Sequence, residues 1–300
     1  MRHCLKPIYV AIGVELVSSD HLFADETPVL VGKKRGGAKK FQEAWFWTFL
    51  GDAGCAFYYT PTRAFKEVEA LLKSFSGHLQ IDGYSAYGKL SRTYPEITLV
   101  GCWAHARRKF VDAEKGGNAP EGTEALRYIR ALYRIEARIR NLKKPSNAIR
   151  LRRRFSAKIL RLFERWLKAK AQDPSILPKS LFGAAVTYAL NRWEALGRFA
   201  NDEKLAIDSN SVEREIRPVA LGKKNWLFCA SEEGAEASAI LYSLIASCRL
   251  ADVDPAAYLT DVLERISTHP AAEVDRLMPV NWKKLVECES AKSSLQNSAP

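Results

Sequence analysis

The sequence predicts an α/β protein: a mixed sheet in the first third, a large helical block through the middle and a helical C-terminal segment. Three observations carry this. Residues 21–105 alternate short apolar, aromatic-rich runs with turn signals around one helical stretch. From about 106 to 200, apolar residues recur instead at three- and four-residue steps. The 300 residues, 47% hydrophobic and 27% charged, have an ordinary globular composition and length for one large or two medium domains.

The first twenty residues, "MRHCLKPIYVAIGVELVSSD", join a basic tip to a short apolar stretch. They read as a helix rather than a signal peptide, because Glu15 interrupts the stretch and no A-x-A-like cleavage site follows. "HLFADETPVLVG" (21–32) has strand composition and leads into a basic stretch, "KKRGGAKK", expected as a flexible loop. "AWFWTFLGDAGCAFYYTPT" reads as a hairpin of two apolar strands around Gly-Asp-Ala-Gly. In "RAFKEVEALLKSF" (63–75), Val68, Leu71, Leu72 and Phe75 fall at helical spacing. "HLQIDGY" (78–84) and "ITLVGCWAH" (97–105) are two further short strands. A helical crossover is the normal route to a parallel neighbour, so a meander followed by such a crossover implies a mixed sheet.

Three amphipathic helices follow, in "EALRYIRALYRIEARIRNL", "IRLRRRFSAKILRLFERWLKAK" and "KSLFGAAVTYALNRWEAL". Lys and Arg far outnumber Asp and Glu between 122 and 172, which fits either a solvated face or a phosphate-contacting surface. In "VDPAAYLTDVLERIS", Asp254 is a candidate N-cap with Pro255 at the first helical position. The sequence after about 283 turns polar and small, as a frayed tail does.

The formal net charge is +12 and the pI about 9.4. This favours a polyanionic partner, most often nucleic acid, although ribosome-like or membrane-surface binding has the same signature. The six scattered cysteines contain no C-x-x-C pair and point to a reducing setting. No apolar run approaches the roughly 18–20 residues of a membrane span.

Three acids stand out. Asp25 lies in or at the end of the first strand, and Asp82 ends an apolar strand ahead of Gly83. Either alone could be a turn former. Neighbouring strands could instead bring both carboxylates together, an arrangement that calls for a cation. Asp208-Ser209-Asn210-Ser211 are N-cap types, so a helix starting there carries Glu213 in its first turns, with Asn210, Glu213 and Arg217 on one face. The local alternative is a Glu213–Arg217 ion pair, worth only about 0.3–0.5 kcal/mol. Pro218 predicts that this helix is short or kinked. Carboxylate ligands suit Mg²⁺ or Mn²⁺, and two such ions support in-line phosphoryl displacement. No P-loop, dinucleotide fingerprint or nucleophile elbow is present, which argues against nucleotide hydrolysis and serine chemistry. "GCWAHARRKF" (101–110) has C-x-x-H spacing at Cys102 and His105, without a second pair to complete a zinc site. Three readings remain: a structural zinc, a buried Cys and hydrogen-bonded His at a strand end, or His105 near a reactive phosphate with Arg107, Arg108 and Lys109 on DNA.

Six segments, "HLFADETPV", "GHLQIDGYSAYGKL", "VGCWAHARRKF", "IDSNSVEREIRPVALGKKNWLF", "AILYSLIASCRL" and "VDPAAYLTDVLERI", together resemble the insertion-sequence-66 family of bacterial transposases. The resemblance runs in order over residues 5–282. It implies a ribonuclease-H-like core whose DDE triad is Asp25, Asp82 and Glu213, holding two Mg²⁺ or Mn²⁺ ions. It implies strand cleavage at the element's end, then attack of the freed 3′-hydroxyl on target DNA. On this reading residues 1–105 are the first part of the core and 106–205 a mainly helical basic insertion. Residues 206–250 are the last part of the core, 251–285 a C-terminal helical segment and 286–300 a tail. The implied DNA contacts are His105, Arg107, Arg108, Lys109, Asn210, Arg214, Arg217, Lys223 and Lys224. Further copies of the chain and accessory proteins of the element are implied partners, with no membrane, in a cytoplasmic, nucleoid-associated setting. The family's usual Asp-Asn-Asn is Asp208-Ser209-Asn210 here. The family's N-terminal regions are missing, so the expectation is a truncated copy without an end-recognition domain. The alternative is an inactive fragment that binds DNA non-specifically.

Overall fold

The computed structural model describes residues 2–35, 38–117, 119–142 and 146–286. In chain order they form α1 (Arg2–Val17), β1 (His21–Arg35), β2 (Ala38–Gly51), β3 (Gly54–Thr60), α2 (Phe65–Leu72), β4 (Gly77–Gln80), α3 (Ser85–Thr93), β5 (Ile97–Val100) and α4 (Trp103–Lys115). Helices then succeed one another: α5 (Ala119–Arg140), α6 (Ser146–Leu151), α7 (Ala157–Gln172), α8 (Leu181–Asn191), α9 (Trp193–Gly197), α10 (Asn210–Trp226), α11 (Glu232–Leu250) and α12 (Pro255–Arg265). The strands make a five-stranded mixed sheet in the order β3-β2-β1-β4-β5. The chain divides into two compact units: Met1–Gly77, Arg92–Ile97 and Ser211–Pro300 form one, His78–Ser91 and Thr98–Asn210 the other.

The first unit is built on the meander β1-β2-β3, antiparallel throughout. Val29 and Val31 of β1 pack with Phe46, Leu50 and Phe57 against Val212, Ile216 and Val219 of α10. The outward backbone of β3 is covered by two serines one turn apart on α11. Ser243 Oγ accepts from Phe57 N at 2.8 Å, and Ser247 Oγ accepts from Cys55 N at 3.0 Å. Side chains thus satisfy groups that an open sheet edge would leave free. In α1, Leu5, Ile8, Ile12 and Leu16 form a buried stripe, as the helical reading requires. Asp254 caps α12 by accepting from Ala256 N and Ala257 N.

The second unit is centred on Trp103, fully buried, whose Nε1 donates to the Leu196 carbonyl at 2.8 Å. Phe110, Leu126, Ile129, Phe163, Leu167 and Phe182 from α4, α5, α7 and α8 complete its core. Between α6 and α7 the helix takes a π turn at Arg152–Ser156, and it does so at a buried, many-partnered arginine described below.

Three expectations need correction, and one helix was not anticipated. The basic stretch 33–40 is not a loop: the ladder runs on to Lys34↔Lys39 and Arg35↔Ala38, because main-chain pairing is indifferent to side-chain charge. Positions 36–37, inside that expected loop, lie outside the described residues, as do 287–300 of the expected tail. The run 97–105 is not one strand. β5 ends at Val100 and α4 begins at Trp103, since Trp103, Ala106, Phe110 and Ala113 bury one face at helical spacing. His105 is therefore a helical residue and Cys102 the residue ahead of the helix. Pro218 does not shorten α10, which runs 17 residues through it. An internal proline costs ~3 kcal/mol or more, and the buried Val212–Ile216–Val219 stripe offsets it. Helix α3, with Ala86, Tyr87 and Leu90 buried, was not anticipated at all.

Candidate active site

Asp25 is a mid-strand residue of β1, half-buried, whose Oδ1 accepts from Glu26 N at 2.8 Å. The β1–β2 register is continuous across it, so alternate residues of β1 share a face. Val29 and Val31, which pack on α10, have the same parity as Asp25. Asp25 therefore lies on the sheet face that α10 covers.

The direction of α10 along that face follows from its other end. Lys223 Nζ donates to Thr27 Oγ1 at 3.0 Å and to the Pro28 carbonyl at 2.6 Å. Beyond the helix, Cys229 N donates to the Leu30 carbonyl at 2.8 Å and Gly32 N to the Cys229 carbonyl at 2.9 Å. The C-terminal end of α10 is thus tied to residues 27–32, and its N-terminal end, with Glu213, extends toward the Asp25 end of β1. At 100° per residue, Glu213 sits on the border between the apolar stripe and the exposed Arg214 and Arg217. The next acid, Glu215, is buried and paired with Arg249 at 3.1 Å.

Asp82 belongs to the second unit, two residues past β4. Ile81 N donates to the Val100 carbonyl at 3.0 Å, carrying the strand pairing up to the turn. The Asp82 carboxylate accepts from Tyr84 N at 2.8 Å, an Asx turn. Tyr188 of α8 and Arg192, the residue just after α8, hold the turn from behind. Tyr188 Oη donates to the Asp82 carbonyl and Arg192 Nη2 to the Gly83 carbonyl, each at 2.6 Å. Gly83 has φ +106°, and a Cβ there would lie 2.5 Å from Arg192 Nε. Only glycine fits. Lys109 and Arg192 both contact the Tyr188 ring, at 4.8 Å and 4.3 Å from its centroid. Burial is the main reason the Tyr188 phenol is pushed up to about 12, so it stays a donor.

The segment 199–209, which feeds α10, is anchored residue by residue. Buried Arg152 donates from Nη1 to the carbonyls of Phe199, Asp202 and Leu205 at 2.9, 2.6 and 2.9 Å. Its remaining nitrogens fork onto buried Glu136 at 2.9 and 2.7 Å. Gln80 Nε2 donates to the Ala206 carbonyl at 2.8 Å, and Trp103 N to the Ile207 carbonyl at 3.1 Å. Tyr133 Oη donates to Asp208 Oδ2 at 2.8 Å, while Asp208 Oδ1 accepts from Asn210 N at 3.2 Å. Ser209 N donates to Cys102 Sγ at 3.3 Å. The buried Cys102 thiol is raised above its usual range by desolvation, and it acts here as an acceptor for the backbone.

Of the expected DNA-contacting residues, Arg107, Arg108 and Asn210 line one cleft of the second unit together with Arg130 and Tyr133. Lys109 is exposed beside Tyr188, and His105 is half-buried in the first turn of α4. Arg214, Arg217 and Lys224 are exposed along α10, whereas Lys223 is turned onto β1 and its ammonium pKa is lowered by burial. Gln80, Arg130, Tyr133, Arg152, Tyr188 and Arg192 went unnoticed in the sequence. Only Arg130 and Arg152 carried a signal there, as part of the basic stretch 122–172.

Comparison with known proteins agrees with this frame. Residues 1–237 match the family described as Transposase IS66 family, and residues 243–280 match the IS66 C-terminal element. The uncharacterized protein y4qI of Sinorhizobium fredii (strain NBRC 101917 / NGR234) is 37% identical over 282 residues, covering 88% of this chain and 51% of its own length. The uncharacterized protein y4jD of the same organism is 36% identical over 300 residues, covering 93% of this chain and 57% of its own. This chain spans about half the length of these relatives. No helix among the described residues is long and apolar enough to cross a membrane. With the family profile running from the first helix through the Glu213 helix, the chain belongs to the IS66 family of transposases.

Proposed function

We propose that this chain is the catalytic part of a DDE transposase on a ribonuclease-H-like core, with Asp25, Asp82 and Glu213 as its triad. The family match over residues 1–237 carries this reading. The placement of the acids supports it: Asp25 lies on the face covered by α10, Glu213 sits at the near end of that helix, and Asp82 occupies a turn pinned on two sides. The three proposed ligands are carboxylates, which suit hard divalent cations such as Mg²⁺ or Mn²⁺. Two such ions, held by the three acids, would stabilise the attacking and leaving oxygens of an in-line phosphodiester displacement.

The protein's own part is positioning. Tyr188 and Arg192 fix the main chain that carries Asp82. Arg152, Gln80, Trp103 and Tyr133 fix the segment that delivers Glu213. Exposed Arg214, Arg217 and Lys224 supply positive charge along the same helix for a DNA backbone. Orientation of this kind contributes to rate without any covalent protein nucleophile. DNA at the element's ends and at the target is the proposed substrate, with further copies of the chain and accessory proteins of the element as partners.

The test is Mn²⁺-dependent cleavage of DNA carrying the element's ends, comparing the unaltered chain with Asp25→Asn, Asp82→Asn and Glu213→Gln. Each substitution is expected to abolish cleavage while leaving DNA binding in place. Undiminished cleavage by Asp82→Asn would falsify the triad. The net charge of +12 favours a second reading, a chain that binds DNA without cutting it. Salt-sensitive binding with no metal-dependent cleavage by the unaltered chain is the outcome that selects it.

A further inference from the structure

The second unit contains a cleft of about 510 Å³ between α4 and α5, within the ~300–1,000 Å³ typical of ligand sites. Its rim is cationic, with Arg107 and Arg108 from α4 and Arg130 from α5. Its walls are apolar and aromatic, from Val111, Leu126 and Tyr133. Arg107 and Arg130 are both exposed, and neither pairs with a carboxylate among the described residues. Asp208, the acid beside the cleft, is already engaged by the Tyr133 hydroxyl and Asn210 N. The Tyr133 phenol is raised far above its usual range, chiefly by burial and then by Asp208, so the ring is held in place as a neutral surface. Two guanidinium groups without carboxylate partners, above an apolar and aromatic wall, match the two halves of a nucleotide. Guanidinium forks take phosphate, and aromatic or apolar faces take a base.

We propose that this cleft binds one unstacked nucleotide of a DNA strand, its phosphate on Arg107 and Arg130 and its base against Val111, Leu126 and Tyr133. The proposal rests on DNA being the substrate and adds to it a built contact away from the three acids. It differs from diffuse charge attraction, which any lysine or arginine on the surface would supply equally.

The experiment compares two double variants in the whole chain, without metal, by fluorescence anisotropy. Arg107→Ala/Arg130→Ala empties the rim of the cleft. Arg161→Ala/Arg165→Ala removes the same charge from the exposed face of α7, in the same unit. The probes are a labelled oligodeoxynucleotide and an oligomer of equal length made of abasic sites. The unaltered chain is expected to prefer the base-bearing strand by about tenfold, the scale of one stacked base. The cleft variant loses that preference, while the α7 variant keeps it and weakens both probes equally. Equal losses in the two variants, with the preference unchanged, overturn the cleft. A chain that binds neither probe overturns DNA as the ligand, and the cleft proposal with it. Unchanged circular dichroism and melting temperature in both variants show that folding is not the cause.

Discussion

Gln80, two residues ahead of Asp82, donates its carboxamide N–H to the carbonyl of Ala206, seven residues ahead of Glu213, at 2.8 Å. One side chain thus ties the strand that leads to the second acid to the segment that leads to the third. Gln80 is fully buried, so removing its donor leaves the carbonyl with no ready substitute. Gln80→Leu is expected to destabilise the fold by about 1–3 kcal/mol, read as a lower urea midpoint. Cleavage should fall further than the folded fraction explains, because the segment feeding α10 loosens. A loss of cleavage matching the loss of folded protein would reduce Gln80 to a purely structural residue.

Arg152 is the larger anchor. It is 4% exposed and its partner Glu136 5%, and three carbonyls of the segment 199–205 depend on its Nη1. Arg152→Met strands the Glu136 carboxylate in the core, at a cost of about 3–5 kcal/mol. Arg152→Met/Glu136→Leu removes the stranded charge and should recover part of that loss. It cannot recover all of it, since the three carbonyls still lack a donor. Chemical denaturation orders the three proteins: unaltered, double, single. A double variant no more stable than the single one would show that the carbonyls, not the charge, set the cost.

These two residues also show where the sequence stopped being legible. Asp25, Asp82 and Glu213 could be singled out because each breaks a local pattern: an acid in a strand, an acid before a glycine, an acid after a cap. The α/β class and the N-cap Asp254 were readable for the same reason, since periodicity and capping are short-range. Gln80, Tyr188 and Arg192 act across 126, 106 and 109 residues, and nothing in their own neighbourhoods marks them. The basic stretch 33–40 was misread because charge suggested a loop, whereas ladder hydrogen bonds form between backbones. The expected shortening of the helix at Pro218 did not hold, because the local penalty was visible and the buried stripe that offsets it was not. Arg152 lay hidden among the other arginines of its stretch, and burial alone distinguishes it.

Gly83→Ala is expected to disable the Asp82 turn. Its φ of +106° disfavours any side chain, and the new Cβ would lie 2.5 Å from Arg192 Nε and 3.0 Å from Tyr188 Oη. Left-handed strain alone costs about 1–3 kcal/mol, and the contact forces Arg192 off the Gly83 carbonyl. Cleavage should therefore drop sharply at a modest loss of melting temperature. Arg192→Ala separates the two causes, since it removes the clash together with the hydrogen bond. If Gly83→Ala/Arg192→Ala cleaves better than Gly83→Ala alone, steric displacement of the turn is the dominant fault.

Tyr188 gives a pH signature. Its phenol is pushed up to about 12 from an ordinary 10, mainly by burial, with Asp82 adding to the rise and Arg192 opposing it. A folded-state pKa above the unfolded value means that the folded chain holds its proton longer. The stability from this group is therefore complete below about pH 10 and is lost as pH rises through about 12. Tyr188→Phe removes both the titration and the hydrogen bond to the Asp82 carbonyl. Across neutral pH the unaltered chain should exceed Tyr188→Phe by a constant margin of about 1 kcal/mol. Between about pH 10 and 12 that margin should shrink, because the phenolate loses its donor and is buried as a charge. Other buried tyrosines titrate in the alkaline range too, so the difference between the two proteins is the quantity to follow. A margin that stays flat through pH 12 would mean that Tyr188 does not hold Asp82 by a donated proton.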